Sequence, residues 1–334
     1  MVTIKDVARD AGVSVATVSR VYNNSDAVRA ATRRHVQAVA LRLGYAPNGA
    51  ARSLITSKTN TIGVLLPDLY GEFFSEVLRG IDQSVQRSGY HLLVSSSHDK
   101  AHEIDAMLRS MRGRVDGVIV MSPNMDARDA VRRLADRFPV VVLNGAVKGD
   151  PLDAIVVANF EGARAMVRHL IALGHRRVAL ITGAERNFDA LERRRGYRAA
   201  LREAGIALVP AWEVAGDFSE GSGHRAAREL LRVEPAPTAI FASNDAMAIG
   251  ALSALREAGR RIPEDVAVAG FDDIPMARYM NPSLSTVHVD ISALGERATA
   301  RLLELLHNAG PHAKRREIVP TTLSIRASCG GSAG

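Results

Sequence analysis

Cysteine is nearly absent from this chain: Cys329 is the single one in 334 residues. That excludes a disulfide framework and a zinc site built on cysteines, and it points to a reducing compartment. Aromatic residues are scarce at 4%, with eight phenylalanines and one tryptophan, so any aromatic pair is informative. No apolar run approaches the length of a membrane span, and the N-terminus carries no signal-type apolar stretch. The expectation is a soluble cytoplasmic, nucleoid-associated protein with no membrane partner. Also missing are GxGxxG, GxxxxGK[ST] and GxSxG, the loops that nucleotide binding and serine hydrolysis need. His98 and His102 have a metal-like spacing, but Asp99, Lys100 and Glu103 beside them read as a solvated face. No metal and no cofactor is expected.

What is present is positive charge, and it is concentrated. Residues 1–58 hold nine Lys/Arg against three Asp, a balance of +6, while the whole chain is +7. The remaining 276 residues therefore carry +1. Within the basic segment, Ile4, Val7, Ala8 and Ala11 form an apolar stripe at i, i+3, i+4 and i+7. Gly12 suits the positive φ of a tight turn, and Ser14 suits the N-cap of a second helix from Val15 to Tyr22. That helix turns Val18 and Val21 inward and leaves Ala16, Thr17 and Arg20 on the other side. A helical hairpin buried in a core would be the alternative, yet the outer face carries Ser, Thr and Arg in place of a Glu/Lys mixture. Two such helices beside a basic segment read as a helix-turn-helix whose second helix meets a DNA major groove.

A third helix is expected over Ala31–Leu43, with Val36, Val39, Ala40 and Leu43 as its stripe, Thr32 as a cap near its start and Gly44 as its terminator. A short helical segment, NGAARSLI, and a polar linker, SKTNT, follow. From Thr61 onward apolar runs alternate with amphipathic ones. Strands are expected at Thr61–Leu66, Tyr90–Val94, Val115–Met121 and Val140–Leu143, then at Val178–Thr182, Ala239–Ala242 and Val266–Ala269, with further strands near Ile318 and Leu323. This is the pattern of α/β, doubly wound parallel sheets. VLRGIDQSVQRSGYHLLV and RRRGYRAALREAGIALV are weakly self-similar, each a helix ending at Gly89 or Gly205 before a strand. That fits two homologous lobes with a cleft between them.

The runs IKDVARDAGVSVATVSRVYN, LGYAPNGAARSL, IGVLLPD, SNDAMAIGAL, VAVAGFDD and NPSLSTV, in this order, resemble the LacI/GalR family of bacterial transcription regulators. The likeness spans nearly the whole chain. It implies an N-terminal three-helix helix-turn-helix head over 1–46, a hinge helix and linker over 47–60, and an effector-binding and dimerisation domain over 61–334. The last would be two lobes of periplasmic-binding-protein type, about 61–158 with part of 285–334, and about 159–284. The resemblance also implies a homodimer on double-stranded DNA carrying a near-palindromic operator. It places base contacts at Val15, Ala16 and Arg20 and makes Leu54 a minor-groove wedge. The candidate DNA-binding set is Ser14, Val15, Ala16, Thr17, Ser19, Arg20, Asn23 and Leu54.

Ligands of open α/β sheets bind beyond the carboxyl ends of the strands. The candidate ligand-binding residues are therefore Phe73, Phe74, Arg193, Phe218, Asn244 and Asp272. One ring of Phe73 and Phe74 is expected in the core and the other in the cleft, and the alternative for Asp272 is a helix N-cap. By resemblance Arg193, Asn244 and Asp272 contact effector. Asn144 stands where many members have Asp, and Ala158 where Asp-Asn is common; both remove acceptors from the lobe crossover. Arg186 near the cleft leaves room for an anionic group. The expected function is a sequence-specific repressor, not an enzyme, governed by a small molecule, a sugar or sugar derivative. The rivals are a sugar-phosphate or nucleoside enzyme with an appended head, for which no base or phosphate loop is visible, and an exported solute-binding protein.

Overall fold

Three short helices pack around a small apolar core at the N-terminus: α1 (Ile4–Asp10), α2 (Val15–Tyr22) and α3 (Ala30–Leu43). The computed structural model describes residues 2–22, 27–45, 58–98, 100–122, 124–145, 152–308 and 313–330. The chain divides into two compact units, Met1–Asn60 with Gly113–Val115, and the remainder. In the head, Val7, Ala8, Ala11, Val18, Val21, Val36, Val39 and Ala40 form the buried core. The Asp6 carboxylate accepts from the Thr3 N–H at 2.9 Å and the Thr3 hydroxyl at 2.7 Å, which closes the start of α1. These bonds hold the Asp6 carboxyl below its ordinary pKa. Gly12 takes φ +62 at the turn and Gly44 takes φ +66 after α3, left-handed values that a β-carbon disfavours. Thr32 is not a cap: α3 begins earlier, with Arg29 at the N-cap and no side-chain cap bond there.

The body contains two six-stranded sheets with the same winding. The first consists of β1 (Thr61–Leu66), β2 (His91–Ser96), β3 (Gly117–Val120), β4 (Val140–Leu143), β5 (Asp153–Val157) and β11 (Arg316–Val319), in the order β11-β5-β4-β3-β1-β2. The second consists of β6 (Val178–Thr182), β7 (Glu213–Ala215), β8 (Ala239–Ala242), β9 (Ala267–Asp272), β10 (Ser285–His288) and β12 (Thr322–Ser324), in the order β12-β10-β9-β8-β6-β7. All pairings are parallel except β10 with β12. Each sheet therefore reverses direction of growth beside its first strand, between β1 and β3 and between β6 and β8. Parallel strands covered on both faces must be apolar throughout, and β3, β4 and β8 are buried at every residue.

The helices of the body are α4 (Glu72–Arg87), α5 (Ala101–Met111), α6 (Arg128–Ala135), α7 (Asn159–Ala172), α8 (Phe188–Glu203), α9 (Glu220–Leu230), α10 (Asp245–Glu257) and α11 (Ile291–His307). The chain passes between the sheets after β5, after β10 and between β11 and β12. Helix α11 lies against α4 so closely that a β-carbon on Gly80 would stand 2.0 Å from the Ser292 carbonyl oxygen, and one on Gly295 would stand 2.4 Å from that of Val77. Glycine is required at both positions.

Several strands differ from the sequence expectation. The run after Gly205 is not a strand: residues 206–209 are irregular and lead through a 3-10 turn, Pro210–Trp212, into the short β7. Pro210 lacks the N–H that a ladder needs. Strands β5, β7 and β10 have no counterpart among the expected elements, because Asp153, Glu213, Ser285 and Thr286 interrupt the apolar run by which β4 and β8 stand out. His98 pairs with Glu103 at 2.6 Å in an exposed position, and among the described residues no cluster of metal-binding groups occurs. Among them, too, no helix is long and apolar enough to cross a membrane. Lys314 reaches Asp153 at 3.4 Å and Arg315 reaches Glu317 at 3.4 Å, so that basic run is held by carboxylates.

Candidate functional site

The exposed face of α2 is small and polar. Ser14 accepts from the Thr17 N–H at 3.1 Å, and the two hydroxyls lie 2.9 Å apart. The cap is thereby made by residues that also belong to the outer face. Val15, Ala16 and Arg20 are exposed, Thr17 and Ser19 half-buried, while Val18 and Val21 anchor the helix from beneath. Arg9 and Arg42 are tied to Asp6 and Asp10 at 2.8 and 2.7 Å. Lys5, Arg20, Arg29 and Arg34 make no ion pair among the described residues, which leaves cations available for phosphates. Asn23, Leu54 and the expected hinge helix lie outside the described residues.

Among the described residues of the body, four buried side-chain atoms have no hydrogen-bond partner: Ser122 Oγ, Asn144 Oδ1, Ser243 Oγ and Asp272 Oδ1. All four sit at the carboxyl ends of parallel strands, after β3, β4 and β8 and at the end of β9. Buried polar groups are nearly always paired, and an orphan costs about 1–3 kcal/mol. All four share the kind of position, beyond the carboxyl end of a parallel strand, at which open α/β sheets bind ligands. Asn144 and Asp272 also take φ +59 and φ +112, backbone conformations that short polar side chains tolerate best. Asn144 keeps its amide oxygen as an unpaired acceptor, one acceptor oxygen fewer than an aspartate would place there.

A buried relay runs between the orphans. The Gly145 N–H and the Asn159 amide donate to the Asp189 carboxylate, the latter at 2.9 Å. Asn159 Oδ1 accepts from Arg193 Nε at 2.8 Å, and Arg193 Nη1 donates to the Ser243 carbonyl at 2.5 Å. Arg193 Nη2 lies 3.2 Å from Asp272 Oδ1, close enough for charge pairing without an aligned hydrogen bond. Its guanidinium also stacks on Phe271, 3.7 Å from the ring centroid. Burial raises the Asp272 carboxyl to about 6 against the pull of Arg193, and Asp189 adds to the rise. Burial likewise raises Asp189. Asp245, facing Thr286 Oγ1 and the Ile274 N–H at 2.5 and 2.9 Å, is raised well above its ordinary value by burial and by Asp272. Asp272 is no helix cap: it ends β9, and the next turn is capped at Ile274.

Asn244, by contrast, is a cap. Its Oδ1 accepts from the Met247 N–H at 3.0 Å, and its Nδ2 donates to the Phe218 carbonyl at 3.0 Å. It therefore holds the loop of Phe218, which takes φ +72, an outlying value for a bulky residue. The Phe218 ring lies over Gly183, where a β-carbon would stand 2.2 Å from Cζ. Phe73 and Phe74 pack edge to face, 5.6 Å between centroids. Both are half-buried and both touch the core, so burial does not distinguish a core ring from a cleft ring.

The two lobes also touch directly. The Met125 N–H donates to the Arg186 carbonyl at 3.0 Å, and Asn124 bridges to Asn187. The Arg186 guanidinium pairs with Asp126, so its charge is already met. Elsewhere the Glu72 carboxylate accepts from the Met276 N–H at 2.8 Å. Ser122, Ser243, Asp189 and Asn159 were absent from the sequence candidates; their position next to strand ends was the one available signal.

Residues 3–48 match the family of bacterial regulatory proteins described as lacI, and residues 167–329 match the periplasmic binding protein-like domain. The chain is 38% identical to the HTH-type transcriptional repressor PurR of Erwinia tasmaniensis, over 99% of this chain and 98% of that protein. Its structure is similar to the lac repressor dimer bound to operator and the anti-inducer ONPF, with a TM-score of 0.89, 32% identity, and 98% and 99% of the two chains covered. It is also similar to the transcriptional regulator CelR in its cellobiose complex, with a TM-score of 0.75, 30% identity, and 98% and 100% covered. The chain belongs to the lacI family of bacterial regulatory proteins and is a DNA-binding transcriptional repressor controlled by a small molecule bound in its C-terminal domain.

Proposed function

We propose that this repressor acts in the cytoplasm on the nucleoid as a homodimer, bound to a near-palindromic operator and governed by a carbohydrate held between its two lobes. The head is taken as 1–46, the hinge and linker as 47–60, and the body as 61–334. Ser14, Val15, Ala16, Thr17, Ser19, Arg20 and Asn23 meet the major groove, and Leu54 wedges into the minor groove. Phe73, Phe74 and Phe218 supply apolar faces for the ligand, while Arg193, Asn244 and Asp272 organise its polar contacts.

The observation that carries the effector site is the set of four orphaned polar atoms at strand ends, on both sides of the cleft. The CelR relative is named as a complex with cellobiose, which supports a carbohydrate. For the dimer, the support is surface chemistry together with the lac repressor dimer among its structural relatives. Leu69, Tyr70, Leu93, Val94, Met276 and Tyr279 are exposed, and β2 is an unpaired sheet edge, features that seek a partner. Coupling is thermodynamic: a ligand that favours one lobe arrangement shifts operator affinity, typically by about 1–3 kcal/mol.

The test is selection of duplex DNA from a random pool on the full chain, followed by binding titrations with and without sugars and sedimentation of the complex. The reading expects an inverted-repeat consensus, two chains per site, and an affinity that one sugar changes. An asymmetric consensus bound by one chain would overturn it.

A further inference from the structure

The amino ends of the second sheet hold a pocket of about 120 Å³, at the opposite end of β8 and β9 from Ser243 and Asp272. Arg177, Thr238 and Val266 each stand one residue before a strand. The ladder sets them side by side, because Val178 pairs with Ala239 and Ala239 with Ala267. The last turns of α9 and α10 supply Leu230 and Leu255, and β8 supplies Ile240. These three side chains and Val266 are buried, so the floor of the pocket is apolar. An apolar cavity of about 150 Å³ admits a benzene ring, and this pocket has room for a group of that order.

The rim is made of donors. Arg177 spends Nε on the Ala236 carbonyl at 2.7 Å, which fixes its guanidinium and leaves both terminal nitrogens without a partner among the described residues. Among the same residues the Arg260 guanidinium makes no hydrogen bond and no ion pair. An arginine just past a helix often answers the last carbonyls, but α10 is closed by backbone alone, through the N–H groups of Ala258, Gly259 and Arg260. Asp265, the one carboxylate in the wall, is engaged at both oxygens by Arg261, at 2.8 Å to Nη2 and 2.8 Å to the backbone N–H. Those bonds, with a smaller contribution from the Arg260 charge, hold its carboxyl at about 2. The Thr238 hydroxyl is likewise taken, by His175 Nδ1 at 3.1 Å and the Arg177 carbonyl at 3.4 Å.

A polyol finds no open side-chain acceptor here, an ammonium meets two guanidinium groups, and inorganic phosphate leaves the apolar floor unfilled. A carboxylate on a small apolar body satisfies both halves, through charge-assisted hydrogen bonds at the rim and burial of its body below. We infer that this pocket is a second ligand site, taking a small organic monocarboxylate whose branched or aromatic body seats on Leu230, Ile240, Leu255 and Val266 and whose carboxylate meets Arg177 and Arg260. It shares no residue with the strand-end cluster around Arg193 and Asp272.

The test is a ligand-observed NMR titration of the full chain with benzoate and 3-methylbutanoate, their neutral amides, acetate and inorganic phosphate. At least one of the two larger carboxylates should bind with a Kd on the order of 1 mM or below, at least tenfold more tightly than its amide, than acetate and than phosphate. Arg260→Gln should weaken that carboxylate at least tenfold with an unchanged melting temperature, since the guanidinium holds nothing in the fold. Arg260→Lys, which keeps the charge, should lose less than Arg260→Gln. Failure of both carboxylates to bind would overturn the inference, as would an amide or phosphate that binds as tightly. Binding to Arg260→Gln equal to wild type would also overturn it, by placing the carboxylate elsewhere on the chain.

Discussion

Arg193 and Asp272 face each other at 3.2 Å with only 4% of either residue exposed, and Asp272 Oδ1 still lacks an aligned hydrogen bond. Charge is thus neutralised while hydrogen-bonding capacity is left open. A buried arginine held on three sides gives the carboxylate a fixed address.

The two partners should respond differently to removal. Arg193→Ala leaves a buried carboxylate unpaired and frees Asn159 and the Ser243 carbonyl, so it should cost about 3–5 kcal/mol of stability. Asp272→Asn keeps the shape and leaves the other Arg193 bonds in place, and should cost about 1–3 kcal/mol. Denaturant unfolding of both variants checks the order; equal losses would mean the pair is not organised around Arg193.

Asp272 also makes stability depend on pH. Its carboxyl is raised in the folded chain from an ordinary 3.8 to about 6, so between those values the folded state binds more protons than the unfolded state. The contribution is complete below the unfolded value and is lost as pH rises through about 6, on the order of 2–3 kcal/mol in all. Asp189 and Asp245 act in the same direction, so the comparison is with Asp272→Asn. The stability gap between wild type and variant should change over pH 4–6 in favour of the variant, as about 1.4 kcal/mol per pKa unit implies. A gap that stays constant would place the Asp272 carboxyl near its ordinary value.

Much of this fold was legible because its causes are local. Gly12, Ser14 and Gly44 act within one turn of their own position, and β1, β4, β6 and β8 stand where continuous apolar runs put them. The site was legible only in outline. Strand ends announced Asn244 and Asp272, yet Asn244 turned out to cap α10 and clamp Phe218. The relay through Asp189 and Asn159 joins residues 30 apart in sequence, and no periodicity encodes such a contact. Ser122 and Ser243 are ordinary serines until burial removes their water.

Gly183 should control Phe218. A methyl group at Gly183 would overlap the ring, 2.2 Å from Cζ, and the ring would have to leave its seat. Gly183→Ala should therefore weaken binding of a neutral sugar at least tenfold, with a melting temperature within a few degrees of wild type. Calorimetry with the sugar that binds wild type checks this, and unchanged affinity would remove Phe218 from the ligand site.

The head offers an independent pair of tests. Arg20 is exposed on α2 and suits a bidentate contact with guanine, worth about 1–3 kcal/mol of discrimination. Arg20→Ala should relax one G·C preference per half-site in a binding selection. Leu54→Ala should weaken operator binding at least tenfold and reduce the bend seen by gel permutation, because a wedge offsets unstacking with added contact. Base preferences and bend that survive both changes would leave the two residues with no role in recognition.

In the proposed function, occupancy of the effector site governs DNA affinity through Asp272. The most direct test is a fluorescence-anisotropy titration of selected operator DNA with wild type and Asp272→Asn, each with and without the neutral sugar that binds wild type. Adding sugar should change wild-type operator affinity at least fivefold and leave the variant unchanged, with ligand-free affinities within a few-fold of each other. A variant that responds to the sugar as wild type does would contradict it.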